Sequence, residues 1–289
     1  MSSRRPVNPL YQDPTSFLSD HHHHHNNLPS PSHSPETDSS PSDARPSAST
    51  PEKDYYPHQR KSLAGIALRA FLLGASLLTG LLSAAYILLT TTSPLWRLPF
   101  FLSALSLFHF LEFWTTAAYN TPQATVYAFL LTANWPAYAI AHATAFAECL
   151  VSNLVFGGSV WAPFGTRPLL VAAGFALVFV GQAVRSLAMI TAGESFNHTV
   201  QHYKAESHTL VTGGIYGWFR HPSYFGFFWW AIGTQLVMGN VLSLCGYAGV
   251  LWFFFSKRMQ HEEELLIRFF GDDYVRYRKS VGTLIPFCG

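Results

Sequence analysis

The sequence predicts an all-α, polytopic integral membrane protein of about six transmembrane helices, with a C-terminal helical hairpin and a polar pocket on the cytosolic side. Three observations carry that prediction. Only 12% of the 289 residues are charged, about half the usual share of a soluble domain. Uncharged stretches near the ~20 residues that cross a bilayer recur along the chain. Lysine and arginine gather beside alternate stretches instead of spreading evenly.

Residues 1–58 stand apart. The run SPSHSPETDSSPSDARPSASTP has no apolar periodicity and cannot bury enough surface to offset its ordering entropy, so this segment reads as a disordered tail. His21–His25 reads as part of that low-complexity tail and not as a metal site, because no partner ligands flank it. The opening residues lack the cationic start and apolar core of a signal peptide. Residues 59–289 form the expected membrane domain.

The spans follow in order. Ala70 to Leu89 is uncharged, with Arg60, Lys61 and Arg69 at its start. Pro94 and Pro99 break the chain. Leu98 to Tyr119 is a second span, holding His109 and Glu112. A weaker third runs from about Trp135 to Val155 with His142 and Glu148, and a loop with Gly157, Gly158, Pro163 and Pro168 follows. Leu169 to Ile190 is the fourth, apolar until Arg185. Tyr224 to Phe255 is too long for one span, and it reads as a hairpin turning at Gly239-Asn240. The segment HEEELLIRFFGDDYVRYRKSV reads as an amphipathic helix at the interface.

An even number of spans puts the tail, the segment 193–221 and the C-terminal helix on one side. Ten cations fall there, among them Arg60, Lys61, Lys204, Arg220, Lys257 and Arg258, against Arg97 and Arg167 opposite. Positive charge marks the cytosolic face. The bilayer is therefore an expected partner. Nucleic acid is not, since no basic stripe tracks a phosphate backbone. Cys149, Cys245 and Cys288 are scattered, with neither metal nor disulfide spacing.

The polar segment holds His198, His202, His208 and His221. His198 and His202 have the spacing of a shared helix face, but a single HxxxH pair without neighbouring carboxylates does not make a metal centre, and none is expected. Gly213-Gly214 suggests a tight turn. Pro222 predicts an extended residue before it and a helix start after it. Trp218, Trp229 and Trp230 read as interfacial anchors, and Glu263 and Glu264 as a solvated helix face. Glu112, Glu148 and Arg185 would face partners or a cavity, because ionisable groups are costly in lipid; for Arg185, snorkelling to the interface is an equal alternative. Spacing alone names no reaction.

Specific words narrow the reading. VRSLAMITAG (184–193), FNH (196–198), HTLVTGGIYGWFRHPSYFGFFWWAIGTQ (208–235), EEELL (262–266) and FGDDYVRYRKSV resemble the isoprenylcysteine carboxyl methyltransferases. The strong match covers about the C-terminal third, and the upstream spans agree in hydropathy only. The resemblance implies an endoplasmic reticulum enzyme with its active site facing the cytosol. Such an enzyme methylates the C-terminal carboxylate of prenylated cysteine in CaaX-processed proteins, using S-adenosylmethionine. It places the cofactor on Gln201, His208, Thr209, Leu210, Val211, Tyr216, His221, Pro222, Ser223, Tyr224 and Glu262, within segments 184–224 and 256–289. It places the prenylcysteine on Arg258 and gives Arg258 and Arg185 catalytic positions. RHPxY followed by EE is shared with phospholipid methyltransferases and membrane sterol reductases. The first would use the same pocket on an amine and have less need for Arg258. The second needs cations for a nicotinamide nucleotide, and no second basic set is evident. A scaffold or permeation protein would leave the His/Tyr/Glu set unexplained.

Overall fold

The computed structural model describes residues 51–155 and 167–285. His21–His25, most of the expected tail, Gly157, Gly158, Pro163 and Cys288 lie outside the described residues. Within them the chain is helical, with no strand. The helices are α1 (Leu63–Thr90), α2 (Arg97–Tyr119), the single turn α3 (Leu130–Ala133), α4 (Ala137–Val155), α5 (Arg167–Ala192), α6 (Pro222–Met238), α7 (Leu242–Phe270) and α8 (Asp272–Ser280).

Among the described residues, four helices are long and apolar enough to cross a membrane: Leu63–Thr90, Pro94–Tyr119, Ala137–Val155 and Arg167–Ser195. They coincide with the first four expected spans. The expected hairpin is also present. α6 closes on Gly239, whose φ of 76° suits a residue without a Cβ. Asn240 then donates to the Ala145 carbonyl at 3.0 Å and to Gln235 Oε1 at 2.8 Å. Glu148, suspected as an intramembrane charge, supplies the cap of α7. Its carboxylate accepts from the backbone N–H groups of Val241, Leu242 and Ser243 at 2.7–2.8 Å, satisfying donors that a helix start leaves open.

α5 and α6 approach closely along their length. A Cβ on Gly181 would meet the Trp230 backbone nitrogen at 2.5 Å, and one on Gly174 would meet the Gly233 carbonyl at 2.9 Å. Reciprocally, Gly226 lies against the Gly181 carbonyl and Gly233 against that of Gly174. Glycines seven residues apart on each helix therefore face one another in antiparallel register. This close contact makes α6 the central helix, with 13 of its 17 residues buried. α1 is the opposite case: it is mostly exposed and touches α2 where Gly80 meets Ser103.

Two expectations change here. The C-terminal segment is not a separate interfacial helix. Nothing between Phe255 and Phe270 breaks a helix, so α7 continues out of the hairpin until Gly271, at φ 55°, turns the chain into α8. Trp230 is not an interfacial anchor. It is 3% exposed and packs on Phe108 at 4.3 Å between ring centroids, because its face of α6 is turned onto α2. Trp218, 75% exposed, keeps a surface position.

Gly181→Ala and Gly226→Ala are each expected to destabilise the protein by ~1–3 kcal/mol, the usual cost of overpacking. Gly74→Ala, where a Cβ meets nothing within 4 Å, should be neutral or slightly stabilising. Thermal midpoints of the purified variants check the contrast.

Candidate active site

α5 ends at Ala192, followed by a 3-10 turn, Gly193–Ser195. The next stretch is not helical. Asn197 Oδ1 accepts from Thr199 N at 3.1 Å, a local turn that competes with helix. His198 and His202 therefore do not share a helix face, and the HxxxH reading is corrected. Among the described residues no group of three His, Cys, Asp or Glu side chains could hold a metal. The Gly213-Gly214 turn forms as expected, with Gly214 at φ 58° opening the 3-10 turn Gly214–Gly217. α6 starts at Pro222 as expected, but its N-cap residue His221, at φ −124° and ψ 63°, lies outside the extended region.

These segments enclose a cleft with the ends of α5, α7 and α8. It holds about 680 Å³ of empty space, its open mouth included. His208, Thr209, Leu210, Val211, Tyr216, His221, Pro222, Ser223, Tyr224 and Glu262 line it. So do Asn197, Arg220, Tyr274 and Tyr277, which sequence reasoning did not single out as site residues. Gln201, Arg185 and Arg258 are not among the lining residues. Gln201 is folded onto its own loop, donating to the Thr199 carbonyl at 3.0 Å.

Arg185 does not snorkel. It is 5% exposed and Glu112 is 1% exposed. Nε donates to Glu112 Oε1 at 2.5 Å and Nη2 to Oε2 at 2.6 Å, while Nη1 donates to the Ser223 carbonyl and hydroxyl. All three nitrogens are thus engaged, and the arginine fixes the first turn of α6 from behind the cleft. His198 rests on the same carboxylate and bonds Thr116 Oγ1 at 3.2 Å. Burial pushes the His198 imidazole down to about 4; Arg185 and Arg258 add to that and Glu112 opposes it.

Arg258 is placed differently. Nε donates to the Tyr224 hydroxyl at 2.8 Å and Nη2 to the His198 carbonyl at 2.5 Å. Two protein bonds fix the guanidinium plane, and among the described residues nothing accepts from Nη1. The same Tyr224 hydroxyl donates to Glu262. Tyr224 therefore joins the cleft-lining carboxylate to the guanidinium beyond it.

Glu263 is not on a solvated face. It is 6% exposed and pairs with His221, Arg220 and Arg278. Burial pushes its carboxyl up, but the His221 bond and the charges of His221, Arg220 and Arg278 outweigh that and leave it lowered. Consecutive helical residues point ~100° apart, so Glu262 and Glu263 serve different surroundings. Glu264 is exposed, as expected. α8 closes the floor: the Tyr277 hydroxyl donates to the Tyr216 carbonyl at 2.6 Å.

Membrane-length helices carrying at one end an open cleft of imidazole, phenol, guanidinium and carboxylate groups make this an integral membrane enzyme. Residues 172–268 match the isoprenylcysteine carboxyl methyltransferase family. The Saccharomyces cerevisiae protein-S-isoprenylcysteine O-methyltransferase is 48% identical over 188 residues, covering 65% of this chain and 78% of that one. The chain belongs to this family and is a methyltransferase. The Xenopus laevis enzyme of the same name is 40% identical over 222 residues, covering 77% of this chain and 73% of that one. An alignment of that length takes in the upstream helices, so the likeness reaches well beyond the C-terminal third. A solved structure of a eukaryotic intramembrane Ras methyltransferase superposes with a TM-score of 0.68 at 36% identity, covering 77% of this chain and 76% of that one.

Glu112→Gln should destabilise the protein by ~3–5 kcal/mol, because it leaves a buried guanidinium without its partner. The double change Glu112→Gln, Arg185→Met should recover part of that loss in a thermal melt. Lowered from 6.5 to about 4 in the folded state, His198 contributes stability that is complete above 6.5 and is lost as pH falls toward 4. His198→Gln should flatten the fall in melting temperature across that window.

Proposed function

We propose that the cleft binds S-adenosylmethionine and that the chain transfers its methyl group to the C-terminal α-carboxylate of prenylated cysteine in CaaX-processed proteins. The observation that carries this reading is the Tyr224 hydroxyl, which bonds Glu262 on the cleft side and Arg258 on the other. A donor site and an acceptor site thereby meet at one side chain.

The residues present fit the cofactor. Glu262 would pair with its ammonium, and His221 with the turn amides would hold its carboxylate. Tyr216 and Tyr224 offer ring faces, which attract a cation. His208, Thr209, Leu210, Val211, Pro222 and Ser223 complete the wall, and Gln201 is assigned to the rim through its resemblance position. Bound there, the cofactor supplies a methyl group on a sulfonium. The nucleophile is an α-carboxylate with a pKa of ~3.3–3.7, ionised without a general base. The protein's work is alignment and exclusion of water. Arg258, with its plane fixed and Nη1 to spare, orients the carboxylate as substrate-binding residue. Arg185, with every nitrogen engaged, acts by positioning Ser223 and the start of α6. The prenyl chain stays among the helices, where each buried CH₂ contributes ~0.8 kcal/mol.

In this reading the chain sits in the endoplasmic reticulum membrane with six spans, α6 and α7 forming the last two, and the cleft faces the cytosol. Residues 1–58 form a disordered tail, dispensable for activity, and residues 59–289 form the enzyme, with its site in segments 184–224 and 256–289.

Membranes carrying the chain should transfer labelled methyl from S-adenosylmethionine to N-acetyl-farnesylcysteine; absence of transfer from correctly inserted protein would count against the proposal. Arg258→Lys should lower kcat/KM for the prenylcysteine by about tenfold or more, because an ammonium lacks the planar fork. Cofactor affinity should be largely kept. The unmutated enzyme should bind the prenylcysteine amide weakly. Equal affinity for acid and amide would shift the reading to an amine methyltransferase.

A further inference from the structure

His221 reaches the cleft with its ring held on two sides. One face stacks on Tyr224, with centroids 5.4 Å apart and planes at 10°. One edge meets Glu263, with Nε2 3.2 Å from Oε1. Against a carboxylate, Nε2 carries the proton and donates it. Among the described residues Nδ1 has no hydrogen-bond partner, so it is the nitrogen left for a ligand.

Glu263 holds more than this imidazole. Its Oε2 lies 3.1 Å from Arg278 Nε on α8, and its Oε1 lies 3.5 Å from Arg220 Nε. A carboxylate stapling α8 to the Arg220 segment would need only those two arginines. The third partner, His221, lines the cleft, as Arg220 also does. The three also differ in freedom. Arg278, with its side chain 45% exposed, reaches Glu263 through a long, flexible stem, while Arg220 is buried and makes the longest of the three contacts. The imidazole is short, stands at the N-cap of α6 and is stacked on Tyr224, so it cannot follow a displaced carboxylate.

We propose that Glu263 is a positioning residue for cofactor binding: its carboxylate fixes the proton on Nε2 of His221 and holds the ring so that Nδ1 is presented to the cofactor. This rests on the reading of the cleft as the S-adenosylmethionine site.

Glu263→Asp tests it. The change keeps the charge for both arginines, of which Arg278 can follow it, but withdraws the carboxylate by one methylene from an imidazole that cannot. Titration of S-adenosylmethionine into the purified full-length protein by calorimetry should show Kd raised by about tenfold, the loss of one charge-assisted bond. The thermal midpoint should stay within about 2 °C, and the prenylcysteine KM at saturating cofactor within about twofold. In a His221→Asn background the same change should alter Kd by less than about twofold, because a residue acting through His221 has nothing left to act on. Arg278→Ala, which removes another partner of the same carboxylate, should leave Kd within about twofold. An unchanged Kd in Glu263→Asp, or a full further loss in the His221→Asn background, overturns the proposal. If Glu263→Asp does not fold, Glu263→Gln in the same cycle decides by the same criteria. If His221→Asn alone leaves cofactor binding intact, the cleft assignment itself fails. If His221→Asn weakens binding and Glu263→Asp does not, only the positioning role fails.

Discussion

The guanidinium of Arg185 ties the cleft to the membrane bundle. A charge at that depth is expensive unless paired and hydrogen-bonded, and here both carboxylate oxygens of Glu112 and two oxygens of Ser223 meet it. The reach depends on how near α6 lies to α5. Gly226 would place a Cβ 2.7 Å from the Arg185 backbone nitrogen, so only a helix face without side chains brings Ser223 within range. Three helices thus converge on one ion pair. The segment that follows from it, Ser223 and Tyr224, is where the cleft meets Arg258.

Polar side chains of the site divide by what remains unspent. Arg185 uses all its nitrogens inside the protein and has none for a ligand. Arg258 uses two of three. His221 uses one nitrogen of two. Under the proposed function the site receives a zwitterionic cofactor and a separate anion, which calls for groups held firmly by part of their hydrogen-bonding capacity, with the remainder turned outward. Tyr224 is the joint in this arrangement, since a single hydroxyl donates to Glu262 and accepts from Arg258.

Much of this was legible in the sequence, and the misses have physical causes. Hydropathy located the first four spans, and Gly239-Asn240 located the hairpin turn, because length and glycine conformation are local properties. Ten of the eleven cofactor positions implied by the resemblance line one cleft. Glu263 was misread because α7 runs on past the apolar stretch, and only the fold of α8 and the Arg220 segment over it makes one glutamate buried and its neighbour exposed. Trp230 was misread because an aromatic on a central helix has the same local sequence as one at an interface. The pairing of Glu112 with Arg185 spans 73 residues, beyond any periodicity. The glycine register of α5 and α6 was in plain sight as two pairs with a seven-residue spacing, but spacing on one helix does not name its partner.

α6 is apolar but short for a helix that crosses a bilayer alone. Its 17 residues extend roughly 26 Å at the helical rise, short of the ~30 Å hydrocarbon layer. They include two glycines at the α5 contact and the polar Ser223, Thr234 and Gln235, all buried in the finished fold. Each finds its partner in protein: α5 for the glycines and Ser223, the Ala231 carbonyl for Thr234, and Asn240 for Gln235. α5 is complete before α6 leaves the ribosome, and so is Glu148 on α4, which caps α7. Under the six-span reading proposed above, the hairpin would meet on entering the bilayer a protein surface already in place.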